Sequence, residues 1–301
     1  MADRIFALSS GRGVAFSASG DALARRLVVF CLPTGMAGAF DPDPLITDTW
    51  GVRLITLDRP GYGSSAVLPL GEAPSIDGRT DDVAEYIQTA ETVADEVSKA
   101  DFGKIGVIGW GAGAEFAAAL AARHPELVDR LALVAPRAPH HAGRDERHSG
   151  LVEALRARPG HSVEAVATEI ADTGWADLSS VGIADDDPAY DTNAGLRHRL
   201  ERSVAEAATQ GSLGVAGDLI AFRDSSWHSG VGDVTADTLI VTGATDDSVD
   251  EKQARWYGSR IAGAEMVSVP EAGHLVIATE WDRILRHVAP KHGGLPPEIR
   301  Q

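Results

Sequence analysis

The sequence predicts an α/β fold: a mostly parallel sheet with helices on both faces and a helical segment inserted late in the chain. Three observations point there. Short apolar runs alternate with longer amphipathic stretches, the pattern of parallel strands joined by crossover helices. The short runs are continuous or nearly continuous in apolar residues, as strands buried on both faces should be. Between about residues 137 and 232 the β pattern stops, and Ala, Arg, Asp and Glu dominate.

Taken in order, residues 4–17 predict an antiparallel edge hairpin. Leu27–Leu32, Val52–Leu57, Ile105–Ile108, Leu131–Val134, Leu239–Val241 and Met266–Val269 predict the buried strands. Helical spacing of apolar positions covers 81–100, 113–124, 250–261 and 276–289, and the first of these opens with acidic residues that suit a helix N-terminus. Breaks at Pro159-Gly160 and Gly182 divide the insertion into several helices. Because the insertion lies between two core strands, it is expected to cap the carboxyl edge of the sheet. The domain plan is a core in two parts, 1–136 and 233–290, a helical cap over 137–232, and a loose tail over 291–301 with its Gly-Gly and Pro-Pro pairs.

The bulk numbers agree with one large domain. The chain has 301 residues, 44% of them hydrophobic and 24% charged, which suits a globular enzyme with an extensive core. A formal net charge of -17 argues against nucleic acid and anionic membrane surfaces as partners and leaves small neutral or cationic molecules. Cys31 is the only cysteine, so no intramolecular disulfide can form, and its apolar surroundings predict a buried, inert thiol. Met1-Ala2-Asp3-Arg4 leads straight into strand-like sequence, and no run of about 18 apolar residues occurs. A cytoplasmic protein is expected, with no metal and no cofactor.

The chemistry centres on Ile105-Gly106-Val107-Ile108-Gly109-Trp110-Gly111-Ala112-Gly113, a strand entering a Gly-rich turn before the helical Ala114–Arg123. Small residues two before and two after a central position are what a nucleophile elbow needs, since strand and helix approach too closely for larger side chains. Gly109-Trp110-Gly111-Ala112-Gly113 resembles the Gly-x-Ser-x-Gly motif of the α/β-hydrolase family, with Gly111 where the nucleophilic serine stands. His124-Pro125-Glu126 and the strand ending at Ala135-Pro136 resemble that family too. So do Thr34-Gly35-Met36-Ala37-Gly38, similar to its His-Gly-x-Pro-Gly oxyanion loop, and Leu57-Asp58-Arg59-Pro60-Gly61-Tyr62-Gly63, similar to the turn after the next strand. Gly243-Ala244-Thr245-Asp246 resembles the acid turn, and Glu271-Ala272-Gly273-His274 the final histidine turn. The order nucleophile, acid, histidine is the family's.

The resemblance implies an eight-stranded α/β-hydrolase sheet and a His274-Asp246 pair at its carboxyl edge, where catalytic groups of open α/β sheets sit. Asp246 would fix the imidazole tautomer and leave the other ring nitrogen free as a base; adjacent Asp247 is the competing partner. Backbone N–H groups of Ala112 and Met36 would donate to an oxyanion, with Gly35 and Trp110 beside them. Thr34 departs from the loop histidine of the family. At Gly111 no acyl-enzyme can form, and glycine there also relieves the strain that elbow geometry imposes on other residues.

Other residues have plainer readings. Glu115, one helical turn past Gly111, is expected in solvent. His124 should end the helix after the elbow. His140, His141, Asp145 and His148 match no ordered metal motif and read as a solvated part of the cap. Trp110, Trp175 and Trp227 could line a site or be core. The leading expectation is an enzyme on a small organic substrate whose His274-Asp246 dyad acts as general base on water or on a substrate proton, in hydrolase, lyase, isomerase or cyclase chemistry. The alternatives are a nucleophile-deleted variant of a serine ester, lactone or amide hydrolase, and a catalytically silent binder of a small molecule or a protein.

Overall fold

The structure, a computed structural model, describes residues 4–97, 103–139, 160, 162–224 and 226–290. The sheet has eight strands: β1 (Arg4–Ala7), β2 (Gly13–Gly20), β3 (Leu27–Cys31), β4 (Arg53–Leu57), β5 (Ile105–Trp110), β6 (Val128–Val134), β7 (Asp237–Gly243) and β8 (Glu265–Val269). Their spatial order is β1-β2-β4-β3-β5-β6-β7-β8. The expected hairpin is present, with β1 antiparallel to β2 and β2 antiparallel to β4, while every other pair is parallel. β3 and β5 are buried along their whole length, which explains their unbroken apolar sequence.

Helices cover both faces. On one lie α1 (Pro44–Trp50) and the C-terminal pair α9 (Val276–Thr279) and α10 (Trp281–Val288); on the other lie α2 (Ile76–Val97), α3 (Gly113–Arg123) and α8 (Glu251–Gly258). The periodicity over 276–289 resolves into two short helices, α9 and α10, which meet at Glu280. No apolar run announces α1; its ends do. Asp43 accepts the backbone N–H groups of Leu45 and Ile46, Pro44 occupies the first turn, and Gly51 closes the helix at φ +58°.

Between β6 and β7 the described insertion contains α4 (Val163–Ile170), α5 (Ala189–Thr192), α6 (Leu196–Ala207) and α7 (Leu213–Ala221), with 3-10 turns at Leu178–Val181 and Ser226–Asp233. One half packs Val166, Ile170, Trp175, Val215 and Leu219 against Ala37 and Tyr62, which follow β3 and β4. The other half places Val181, Ile183 and Leu196 in one cluster with Val249 and Leu275, which follow β7 and β8. The insertion thus rests on loops at the carboxyl ends of the strands. Its last turn differs: Trp227 and Val231 are buried in the core with α3 rather than over the sheet edge. The expectations for His140, His141, Asp145, His148 and the 291–301 tail lie outside the described residues. Among the described residues, no helix is long and apolar enough to cross a membrane.

Candidate active site

β5 enters α3 through an elbow at Gly111, whose φ is +56°. Glycine is required on both sides of it. A β-carbon at Gly109 would lie 2.6 Å from Ala117 Cβ, and one at Gly113 would collide with the Cys31 carbonyl. Gly111 is different: a β-carbon there would sit 3.5 Å from His274 Nε2 and 3.6 Å from Pro33 Cβ, at ordinary contact distance. Its backbone is pinned, since Gly111 N–H donates to Val134 O at 3.0 Å and Gly111 O accepts Arg137 N–H at 3.0 Å. Beside it Ala135, at φ 41°, is the only non-glycine among the described residues in the left-handed region, a strained neighbour of the kind that clusters at functional sites.

His274 stands on the turn after β8 and is 5% exposed. Its Nδ1–H donates to Asp246 Oδ2 at 2.8 Å; a carboxylate can only accept, so this bond fixes the tautomer and leaves the Nε2 lone pair facing Gly111. The other oxygen of Asp246 accepts the backbone N–H groups of Ser248 and Val249 at 2.7 and 3.1 Å. Asp246, not Asp247, is therefore the partner. Burial would raise the Asp246 pKa, but the imidazole and these hydrogen bonds outweigh it and hold the carboxyl below its usual range. Burial likewise acts to lower the pKa of His274, and the Asp246 carboxylate with a further contribution from Asp187 overcomes it, leaving the imidazole more basic than an ordinary histidine.

Trp110 is fully buried, stacked between Phe40 and His274, and its indole N–H donates to His274 O at 3.2 Å. Its buried ring packs against the histidine. Trp175 and Trp227 are also buried.

The loop after β3 holds the second group of expected residues. Ala112 N–H has no acceptor among the described residues, but Met36 N–H donates to Pro33 O at 3.3 Å and Gly35 N–H to Tyr62 Oη at 3.0 Å. These bonds belong to a buried network invisible in the motifs. Arg59 grips Asp218 of α7 through Nε and Nη2 at 2.8 and 2.7 Å, and also donates to the carbonyls of Leu32 and Pro33. Tyr62 Oη and Thr34 Oγ1 donate to Asp218 Oδ2 at 2.8 and 3.0 Å. Burial and the Asp218 charge push the Tyr62 pKa well above its usual value, so the phenol keeps its proton, donates it to Asp218 and accepts from Gly35. Breaking such a buried charge pair costs on the order of 3–5 kcal/mol, which makes this loop conformation persistent. Thr34 thus ties the loop to the insertion.

Glu115 corrects a sequence expectation. It is 2% exposed and takes Arg137 Nε and Nη2 on Oε1 at 2.9 and 2.7 Å. α3 is buried almost all round, so no face of it offers solvent; the charge is balanced by a guanidinium that lies 3.9 Å over the Phe222 ring. His124 ends α3 as expected, with Nε2 3.2 Å from Asp81. Cys31 is buried, its thiol pushed up to about 12 chiefly by desolvation, so it is no nucleophile. Among the described residues, no group of three or more His, Cys, Asp and Glu side chains is placed to hold a metal ion.

Comparison with known proteins bears on this geometry. A family model described as "alpha/beta hydrolase fold" matches residues 28–152. No curated protein matches the chain in sequence. Similar solved structures include an α/β hydrolase fold protein from Nakamurella multipartita, at 23% identity and TM-score 0.65, covering 96% of this chain and 98% of that one. An esterase from Exiguobacterium antarcticum shares 20% identity at TM-score 0.66, with 95% and 97% covered. An enol-lactonase from Burkholderia xenovorans LB400 shares 18% identity at TM-score 0.65, with 95% and 98% covered. Strand order, the elbow at Gly111 and these likenesses agree, and the chain has the α/β-hydrolase fold.

Proposed function

We propose that the protein is an enzyme acting on a small organic substrate without a covalent intermediate, with His274, held by Asp246, as its general base. One observation carries this reading: Nε2 of a tautomer-fixed, buried histidine faces the vacant β-carbon position of Gly111, 3.5 Å away. A water or an acidic substrate proton at that place meets the base directly. The loop side favours a substrate proton over acyl transfer. A tetrahedral oxyanion is best met by two donors, and of the backbone groups expected there only Ala112 N–H has no acceptor among the described residues. Similarity to proteins named an esterase and an enol-lactonase supports a small organic substrate.

The second reading is a serine ester, lactone or amide hydrolase from which the nucleophile has been deleted. It is favoured by the positive φ kept at Gly111 and by the room for a side chain there.

Activity requires neutral imidazole, so the pH–rate profile is expected to rise through the pKa of His274. Because that pKa is raised, the midpoint should lie above the ordinary histidine value of about 6.5. Asp246→Asn removes the carboxylate that raises it and permits the wrong tautomer; the limb should move to lower pH while kcat falls by about 10⁴. Steady-state kinetics of both proteins across pH 5–9 check this, and an unmoved limb with full kcat rejects the dyad. Fluorophosphonate probes should not label the wild-type chain. The serines beside the site are engaged, Ser248 Oγ donating to Gly182 O at 2.8 Å and Ser180 Oγ to Asp177 O at 2.7 Å. Intact-mass spectrometry decides: stoichiometric labelling of a serine under native conditions means that the nucleophile lies elsewhere.

A further inference from the structure

A second carboxylate reaches the histidine turn from the insertion. Asp187, just before α5, is 6% exposed. Its Oδ2 accepts Leu275 N–H at 3.2 Å, directly after His274, and its Oδ1 accepts Ala189 N–H at 3.0 Å. Room for it is made by Gly273: a β-carbon there would lie 2.5 Å from Asp187 Oδ2. The same stretch of insertion runs close to the imidazole. A β-carbon at Gly182 would lie 3.5 Å from His274 Cδ2, and Gly182 O is fastened by Ser248, two residues after Asp246. On the opposite edge, Val181 Cγ1 would lie 3.1 Å from a β-carbon at Gly35.

We propose that Asp187 is a positioning residue for His274, clamping the histidine turn through Leu275 N–H and docking the insertion over the imidazole edge. The inference rests on the reading of His274 as the base. Its two hydrogen bonds join an element of the insertion to the catalytic turn, so the histidine is set only when residues 181–189 are seated. Its charge acts as well. Among the described residues, the carboxylates whose charge acts on the imidazole are Asp246, from the turn after β7, and Asp187, from the insertion; both favour the imidazolium, and loss of either makes the base weaker.

The test reads His274 itself rather than turnover. The wild-type protein, labelled at histidine Cε1, is titrated by NMR, and the His274 signal is the one missing from His274→Ala. Asp187→Asn keeps the volume and an oxygen acceptor but not the charge, and is expected to lower the His274 midpoint by about half a pH unit or more. Gly273→Ala, which keeps the Asp187 carboxyl in the chain but pushes it off the turn, is expected to act in the same direction, so a misfolded Asp187→Asn does not rescue the proposal. A His274 midpoint unchanged in the folded variants overturns it. If instead the midpoint shifts as expected while His274→Ala retains turnover, the positioning stands and the base assignment of the preceding section fails.

Discussion

Alanine at position 274 is expected to end turnover and leave the fold in place. Among the described residues His274 Nε2 lies 3.5 Å from the Gly111 β-carbon position, and a positioned general base contributes about 10²–10⁴ in rate; on the proposed non-covalent reading, the residual rate should approach background. The fold should survive because the neighbours keep their own partners. Asp246 retains the N–H groups of Ser248 and Val249, Trp110 still reaches the backbone carbonyl of residue 274, and Asp187 still holds Leu275. Thermal melting of the variant beside the wild type checks the second half. The first half needs a substrate, found by incubating a metabolite mixture with the wild type and following depletion by mass spectrometry. A folded His274→Ala protein that depletes the same compound at the wild-type rate ends the base reading, and tight binding of that compound without depletion by either protein identifies a silent binder.

Much of this site was legible in the sequence because it is local. The elbow is a run of small residues forced by contacts within a few positions of each other, so Gly109 and Gly113 announce it. Asp246 follows β7, whose apolar run is buried, and parallel pairing of β7 with β8 brings the two turns together; β8 itself corrects the expectation of a buried strand over Met266–Val269, since it is the edge strand of the sheet and none of its residues is buried. What stayed hidden is non-local. Glu115 reads as the polar position of an Ala-rich helix, and nothing near it reveals that α3 is enclosed or that Arg137 comes from the loop after β6. The expected donor Met36 and its neighbour Gly35 sit in a recognisable loop, but their acceptors, Pro33 O and the Tyr62 hydroxyl, depend on how Arg59 and Asp218 clamp that loop across 159 residues of chain. Asp187 is 88 residues from its partner Leu275, in an insertion with no sequence code. α1 was missed because its evidence lies in its caps rather than in periodicity.

Gly111→Ser is expected to create measurable but poor esterase activity. The new β-carbon would meet Pro33 and His274 Nε2 at 3.5–3.6 Å without collision, and its hydroxyl would lie within reach of a base already in the right tautomer. The cost is backbone strain: at φ +56° a non-glycine residue loses on the order of 1–3 kcal/mol, which a Tm comparison reads directly. Histidine, acid and one free donor, Ala112 N–H, would then be in place. The second donor would not, because Met36 N–H is turned to Pro33 and Gly35 N–H to Tyr62, and loss of one oxyanion donor costs about 10²–10³ in kcat. Hydrolysis of p-nitrophenyl acetate and fluorophosphonate labelling should therefore both appear in Gly111→Ser and be absent from the wild type, with hydrolysis well below that of an efficient esterase. In parallel the native reaction should be lost, since the hydroxyl fills the place of the water or substrate proton. Efficient ester turnover would instead favour the nucleophile-deleted hydrolase and would mean that the loop opens its donors when substrate binds. A well-folded Gly111→Ser protein with no esterase activity and no labelling would show that His274 does not activate a group at this position, and the dyad would lose its role as a base.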